Sequence, residues 1–268
     1  MDQQSKSQSV LEKFSRLLDV FSNPPFRFSY SNVVELVSMP KSTVHRMLNQ
    51  MVDLEFLERD EERREYILGP KLGKLLHYNL PRSDLIQVFK PVLLQMAQDV
   101  GETAFAARLR GNQVELFCVQ SPETDGMSYV HPGKGPRPAH ACSSAKAIIA
   151  FQDETFIDSV LNEPLHAFNS KTVTDPIKLK SELANVRETG FAYCREEIEF
   201  SVSSISCPIS LPGAGVLYAI GTISLTHRRN PQMQSMLEDE LLLAGNKLST
   251  LLGSVIVEGS VNISNLSS

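Results

Sequence analysis

No run in the 268 residues approaches the roughly 18 consecutive apolar residues that a membrane-spanning helix needs, and MDQQSKSQSV at the start has no apolar core of the secretory kind. The expectation is a cytoplasmic protein without a membrane partner. With no leader, the two N-x-S sequons at Asn262 and Asn265 are chance matches. Cysteine is scarce. Cys118, Cys142, Cys194 and Cys207 show neither CxxC nor Cys/His ligand spacing, which argues for buried free thiols rather than a disulfide framework or metal centre. His131, His140, His166 and His227 form no H-x-x-x-H pair, so neither a metal nor another cofactor is expected. An excess of basic charge is missing too. Net charge is -5, and residues 1–80 carry equal numbers of basic and acidic side chains, so the acidity lies in the remainder. Such a chain cannot hold nucleic acid by bulk charge; any DNA contact must come from a few placed cations, doubled by a partner subunit.

What is present is an ordinary globular composition, 42% hydrophobic and 21% charged, over a length that suits two domains. Residues 29–68, SYSNVVELVSMPKSTVHRMLNQMVDLEFLERDEERREYIL, carry the most informative pattern. Val44, Met47, Leu48, Met51 and Val52 recur at helical spacing on one face, while Ser42, His45, Arg46, Asn49 and Asp53 fall on another. Pro40 suits the first turn of that helix. Upstream, Val33, Val34, Leu36 and Val37 predict a short helix, and Ser38-Met39-Pro40 is a turn of helix-turn-helix length. Downstream, residues 56–59 and 65–68 are strand-like runs flanking a charged tip, Asp60-Glu61-Glu62-Arg63-Arg64. An amphipathic helix alone says nothing of function, but this order of elements is that of a winged helix-turn-helix. Residues 9–21 add a first helix with Val10, Leu11, Phe14, Leu17, Leu18 and Phe21 on one side, ended by Asn23-Pro24-Pro25.

Residues 70–78 read as a short helix interrupted by Pro81, and the domain boundary is placed near residue 80. Ser83 is a candidate N-cap for a helix over 84–100, in which Leu85, Val88, Phe89, Val92, Leu93 and Met96 share a face and which Gly101 closes. Strand-like runs at 103–110 and 114–119 meet at the hairpin signal Arg110-Gly111-Asn112-Gln113. A Gly- and Pro-rich loop spans 121–138. Helices are expected over 139–151, over 153–160, and from Asp175-Pro176 to about Thr189 before Gly190. Strands over 191–194, 202–209 and 215–225 come next, then an amphipathic helix over 233–252 and a Ser- and Asn-rich tail. Hairpins of strands with helices between the sets predict an α+β sensor-like domain, helices packed on a largely antiparallel sheet.

Ser143-Ser144-Ala145-Lys146 fits S-x-x-K, which sets a hydroxyl and an amine one helical turn apart for nucleophilic catalysis. Its companions are missing: there is no Ser-Asp-Asn, and Lys171-Thr172-Val173 lacks the glycine of K-T-G. The segment from Gly126 to Lys134 has the wrong spacing for a P-loop, and Gly213-Ala214-Gly215 is followed by Tyr218 where a dinucleotide fingerprint has glycine. No catalytic residue is assigned. A small-molecule enzyme or metabolite carrier using Ser143 and Lys146 stands as the alternative, and a protein-interaction module that never touches DNA as a third reading.

PKSTVHRML, with the wing ending Tyr66-Ile67-Leu68-Gly69, closely resembles the DNA-binding domain of the IclR family of bacterial transcription regulators. HACSSAKAIIAF resembles that family's His-Ala-x-x-x-Gly-Lys-Ala helix, RETGFAYCREEIEFSVSSISCPIS its Arg-x-x-Gly-Tyr segment and central strands, and YAIGTISLTH the strand after them. The resemblance runs from about Ser9 to Leu252. It implies a homodimeric or homotetrameric repressor or activator whose GAF/PAS-like C-terminal domain binds a small metabolite, often an organic or aromatic acid. It further implies that Ser143 and Ser144 meet an acidic effector at a helix start, and that Cys194, Ser204, Ser224 and Thr226 close the pocket. This chain has Cys194-Arg195 where the family commonly has two acids, Ser204 where it has Cys, and Ala145 where it has Gly.

The combined reading is an α+β regulator of transcription. A winged helix-turn-helix occupies 1–69, a linker helix 70–82, an effector-binding domain 83–254 and a frayed tail 255–268. Its partners are an operator in double-stranded DNA, a small-molecule effector and further copies of itself. Ser42 and Thr43 are expected to bond phosphates, with Lys41 beside them; His45, Arg46 and Asn49 face base edges, and Arg63 and Arg64 lie along the backbone or minor groove.

Overall fold

The computed structural model describes residues 9–123 and 128–258, the side chains of 254–258 excepted. It divides into two compact units between Leu76 and His77. In the first unit, α1 (Val10–Phe21) starts on a capping box in which Ser9 Oγ accepts from the Glu12 N–H and the Glu12 carboxylate accepts from the Ser9 N–H at 2.7 Å. Leu17 and Phe21 are fully buried, but Val10 and Leu11 of the same predicted stripe are 71% and 78% exposed. A second capping box, Ser29 with Asn32, starts α2 (Tyr30–Leu36).

After the turn comes α3 (Lys41–Asp53). Pro40 is its N-cap rather than its first helical residue: the backbone there is extended, and the Pro40 carbonyl accepts from the N–H groups of Thr43 and Val44. The end of α3 is a Schellman closure, with the Phe56 N–H on the Met51 carbonyl at 2.8 Å and the Glu55 N–H on that of Val52 at 2.9 Å. Glu55 occupies the left-handed position, φ 61°, where glycine is usual. The wing is β2 (Leu57–Asp60) against β3 (Glu65–Leu68), in register from Leu57↔Leu68 to Asp60↔Glu65. Asp60 therefore ends a strand rather than belonging to the tip, and Phe56 precedes it. β1 (Phe28–Ser29), which pairs with the far side of β3, was not expected; two residues carry no readable alternation.

α4 (Pro70–Asn79) runs across the division between units, and α5 (Arg82–Val100) opens the second. Pro81, not Ser83, is the N-cap of α5, because the Ser83 hydroxyl donates to the neighbouring Asp84 carboxylate at 2.9 Å instead of capping a backbone N–H. The sheet consists of β4 (Thr103–Arg110), β5 (Gln113–Gln120), β6 (Gly135–Arg137), β7 (Ala192–Arg195), β8 (Val202–Leu211) and β9 (Gly215–Leu225). All neighbours are antiparallel, in the order β6-β5-β4-β9-β8-β7. The turn between β4 and β5 places Gly111 at φ 59°, which the missing Cβ permits. β6 lies within the stretch expected to be a loop throughout.

Between β6 and β7 come α6 (Ser143–Ile149), α7 (Glu154–Leu161) and α8 (Pro176–Thr189). α6 is shorter than expected. His140, Ala141 and Cys142 precede it, and Cys142 is an extended N-cap without a side-chain bond. The last helix, α9 (Pro231–Glu258), exceeds its expected span at both ends, so residues 255–258 are helical; the rest of the expected tail, with Asn262 and Asn265, lies outside the described residues.

Strand alternation sends successive side chains to opposite faces of the sheet. On β8, Ser204 and Ser206 face α6, where both reach Ser143, whereas Cys207 faces α9 and bonds the Leu241 carbonyl at 3.3 Å. The core on the α5–α9 side centres on Phe89, Phe117 and Tyr218, whose rings meet with centroids 5.0 to 6.4 Å apart.

Candidate functional site

In the first unit, Val44, Met47, Leu48 and Met51 of α3 are buried as their spacing predicts, with Val52 half-buried. This leaves Lys41, Ser42, His45, Arg46 and Asn49 exposed, with Thr43 half-buried at the helix start. The Tyr30 hydroxyl donates to the Lys41 carbonyl at 3.0 Å and its ring lies edge-on to His45, so α2 sets both the start of α3 and one of its outward side chains. At the wing tip, the Asp60 carboxylate accepts from the N–H groups of Glu62 and Arg63 and sits 3.8 Å from the Arg63 guanidinium, while Arg59 pairs with Glu61. Arg63 is thus partly neutralised in the free protein. Arg64, exposed and at φ 55°, has no ion pair among the described residues.

In the second unit, α6 presses small residues against the sheet, and all seven of its residues are buried. Ser143 Oγ lies 2.7 Å from Ser204 Oγ and 2.8 Å from Ser206 Oγ, a closed set of three neutral hydroxyls. Ser144 bonds Cys142 Sγ at 3.4 Å. Cys194 pairs in register with Ser204 and therefore shares its face; burial pushes its thiol up to about 11, so it stays protonated. Gly221, opposite Ser206, has a particular reason to be glycine. A Cβ there would run into Ser206 Oγ and the tip of the Phe105 ring, which converge over its bare Cα. Phe105, Leu116, Val119 and Ile223 form a small apolar cluster separate from the main core. Polar groups at one end and an apolar wall at the other are what a small-molecule site requires.

The S-x-x-K pair is pulled apart. Lys146, 1% exposed, directs its Nζ to the Glu197 carboxylate at 2.7 and 2.9 Å and to Glu182 at 2.7 Å, while Ser143 turns to the two serines. Burial raises the Glu197 carboxyl and Lys146 opposes that rise. An amine held by two carboxylates is no base for a hydroxyl engaged elsewhere.

Ser224 and Thr226 are not in the serine cluster. Register pairs Ser204 with Ile223 and Ser203 with Ser224, which puts Ser224 on the opposite face. There Arg229 Nε donates to Ser224 Oγ at 2.8 Å, its Nη2 to the carbonyls of Ser203 at 3.1 Å and Thr222 at 3.3 Å, and Thr226 Oγ1 bonds Ser203 Oγ at 2.8 Å. Of the expected effector residues the structure therefore unites Ser143, Cys194 and Ser204, with Ser144 at their edge. Sequence reading missed Ser206, Phe105 and Gly221. Ser206 stood two residues beyond Ser204, and strand alternation alone could have added it.

A winged helix-turn-helix with an outward polar helix face, followed by an α+β unit in which a buried serine cluster adjoins an apolar cluster, fits a DNA-binding regulator of transcription. Residues 10–61 match the IclR helix-turn-helix domain and residues 77–250 the bacterial transcriptional regulator IclR C-terminal domain, and the chain belongs to the IclR family. It is 26% identical to the HTH-type transcriptional regulator XynR of Escherichia coli over 92% of this chain and 97% of that one. It is 27% identical to KipR of Bacillus subtilis over 91% and 98%. Among solved structures, an IclR homologue of Microbacterium hydrocarbonoxydans complexed with 4-hydroxybenzoate is 27% identical, with a TM-score of 0.58 over 92% of this chain and all of that one.

Proposed function

We propose that this regulator binds its operator through α3 and the wing, and that a small organic or aromatic acid held beside α6 controls that binding. The observation that carries the effector assignment is the convergence of Ser206 and Phe105 over Gly221, next to Ser143 and Ser204. A ring lies against Phe105, Val119 and Ile223, and its oxygens replace the hydroxyl-to-hydroxyl bonds among the serines. The ligand of the Microbacterium homologue, an aromatic acid with a second hydroxyl, has this chemistry. Ser144 and Cys194 border the same pocket. The reading as a regulator and not an enzyme is supported by the occupied Lys146 amine. Titrating 4-hydroxybenzoate, benzoate and short aliphatic acids in a thermal-shift assay tests the site, since a ligand that binds only the native state raises its apparent stability. A response in the full chain that is lost in Ser204→Val is expected; no response to any of these acids would overturn the assignment.

On DNA, Arg46 contacts a guanine edge, flanked by His45 and Asn49, while Lys41, Ser42, Thr43, Arg63 and Arg64 contact the backbone. Arg46→Ala is expected to cost about 1–3 kcal/mol of operator affinity in a gel shift, and unchanged affinity would remove Arg46 from the readout. The chain acts as a homodimer or homotetramer, a reading supported by exposed Val10, Leu11 and Leu54 in the first unit. A monomer in sedimentation velocity at micromolar concentration would reject it.

A further inference from the structure

The second face of the C-terminal sheet carries a cleft that the effector pocket leaves unexplained. It is an open cleft of about 380 Å³ lined by Arg229, Asn230, Pro231, Gln234, Ser235 and Glu238. All of its lining residues but Pro231 carry polar side chains, unlike the apolar wall beside Phe105, so the cleft offers hydrogen-bonding partners to a ligand. Its cation is fixed in advance. Arg229 is clamped by the Ser224 hydroxyl and by the carbonyls of Ser203 and Thr222, which engage Nε and Nη2 and leave Nη1 without a hydrogen bond among the described residues. No carboxylate of the described residues lies within 4.0 Å of it, and burial brings the guanidinium down to about 10. A desolvated guanidinium whose one longer-range acid, Glu102, is already paired with Arg228 at 3.4 Å has room for an anion.

The cleft's anion is fixed as well. Glu238 Oε1 accepts from the Tyr193 hydroxyl at 2.8 Å and from Gln234 Nε2 at 2.9 Å, while Oε2 has no donor among the described residues. One wall therefore offers an open N–H and another an open carboxylate oxygen. A simple anion would meet repulsion from Glu238, and a simple cation from Arg229. Arg195, stacked over the Tyr193 ring at 4.2 Å, adds positive charge near the same face. A molecule that carries both charges offers a partner to each wall.

We propose that this cleft is a second small-molecule site, on the opposite face of the sheet from the serine pocket, that takes a free α-amino acid with its carboxylate on Arg229 and its ammonium on Glu238. Ser224 and Thr226 then serve this site and not the first: Ser224 holds Arg229 directly, and Thr226 ties down Ser203, whose carbonyl does the same. Binding at this position would act on the junction of β9 with α9.

The test is a thermal-shift series on the full chain with the common amino acids supplied singly at millimolar concentration, and with acetate and methylamine as probes that each carry one of the two charges. At least one amino acid is expected to raise Tm in proportion to the logarithm of its concentration, with neither half-probe doing so. Calorimetric affinity for that amino acid should fall roughly tenfold or more in Glu238→Gln, which removes a charge-assisted bond. Arg229 also braces the fold, so Ser235→Arg, a change at an exposed position that fills the cleft, is the second variant and should abolish the response. Silence from every amino acid overturns the proposal. So does a response that survives Glu238→Gln and Ser235→Arg but is lost in Ser204→Val, which would belong to the serine pocket.

Discussion

Replacing Lys146 with methionine would remove the cation that the buried Glu197 carboxylate faces at 2.7 Å, in a site where Lys146 is 1% and Glu197 6% exposed. Methionine fills most of the lysine's volume, so the loss is electrostatic rather than a cavity. A buried pair broken on one side costs about 3–5 kcal/mol, because the remaining charge is stranded. With a urea dependence of ~2 kcal/mol per molar, the C-terminal transition should move down by roughly 2 M. The chain has no tryptophan, so far-UV circular dichroism is the natural probe. The deficit must depend on pH. Burial already raises the Glu197 carboxyl above its ordinary value of 4.5, and losing Lys146 raises it further. A carboxyl raised in the folded state contributes stability below its unfolded value that is lost as pH rises through the folded value. The gap between wild type and Lys146→Met should therefore be small near pH 4.5 and widen towards neutrality. Lys146→Met/Glu197→Leu should recover most of the loss. A pH-independent deficit, or a double variant no more stable than the single, would refute the reasoning.

Three further outcomes follow from particular contacts. Gly221→Ala drives a methyl into Ser206 Oγ and the Phe105 ring; it should lower stability by about 1–3 kcal/mol in urea titration and abolish the acid-induced Tm shift while operator affinity is unchanged. Glu55→Gly relieves the left-handed backbone at φ 61° and should stabilise the N-terminal unit by about 1 kcal/mol, since the exposed Lys74 bridge that it deletes is worth little; an unchanged or lower midpoint would count against the strain. His77, buried against Tyr218, has its imidazole brought down to about 4, so the unfolded chain takes up its proton first and stability should fall as pH drops from 6.5 towards 4. His77→Phe should flatten that part of the Tm–pH curve, and an unaltered curve would remove His77 as its cause.

What could be read from sequence was decided by how local the cause is. α8 was legible at both ends because Asp175 caps, Pro176 starts and Gly190 stops, all within the element. The buried face of α3 followed from spacing alone. α6 starts later than its sequence pattern suggests because Cys142 marks its start with backbone geometry only, and β1 is invisible in sequence because its two residues acquire meaning only from β3. The serine cluster shows the same limit. Ser204 and Ser224 look equivalent as strand serines, yet the register Ser203↔Ser224 sends them to opposite faces, and that register joins separate strands. Glu197 and Lys146, 51 positions apart, likewise find each other only once β7 lies against α6.

The middle of the six-stranded sheet is the pairing of β4 with β9, of Thr103 with Ile223 and Arg108 with Tyr218. The first strand of that sheet to leave the ribosome must wait for the last before its inner edge is covered. The helix-turn-helix, by contrast, draws all its contacts from residues already made. Non-local pairing of this kind is slow, and domains fold in order of synthesis. The nascent chain therefore passes through a stage with a finished DNA-binding unit and an open strand edge at β4. Premature termination before Gly215 would release that intermediate: a reader of DNA without a sheet to seat any ligand, and with an edge free to pair with other chains.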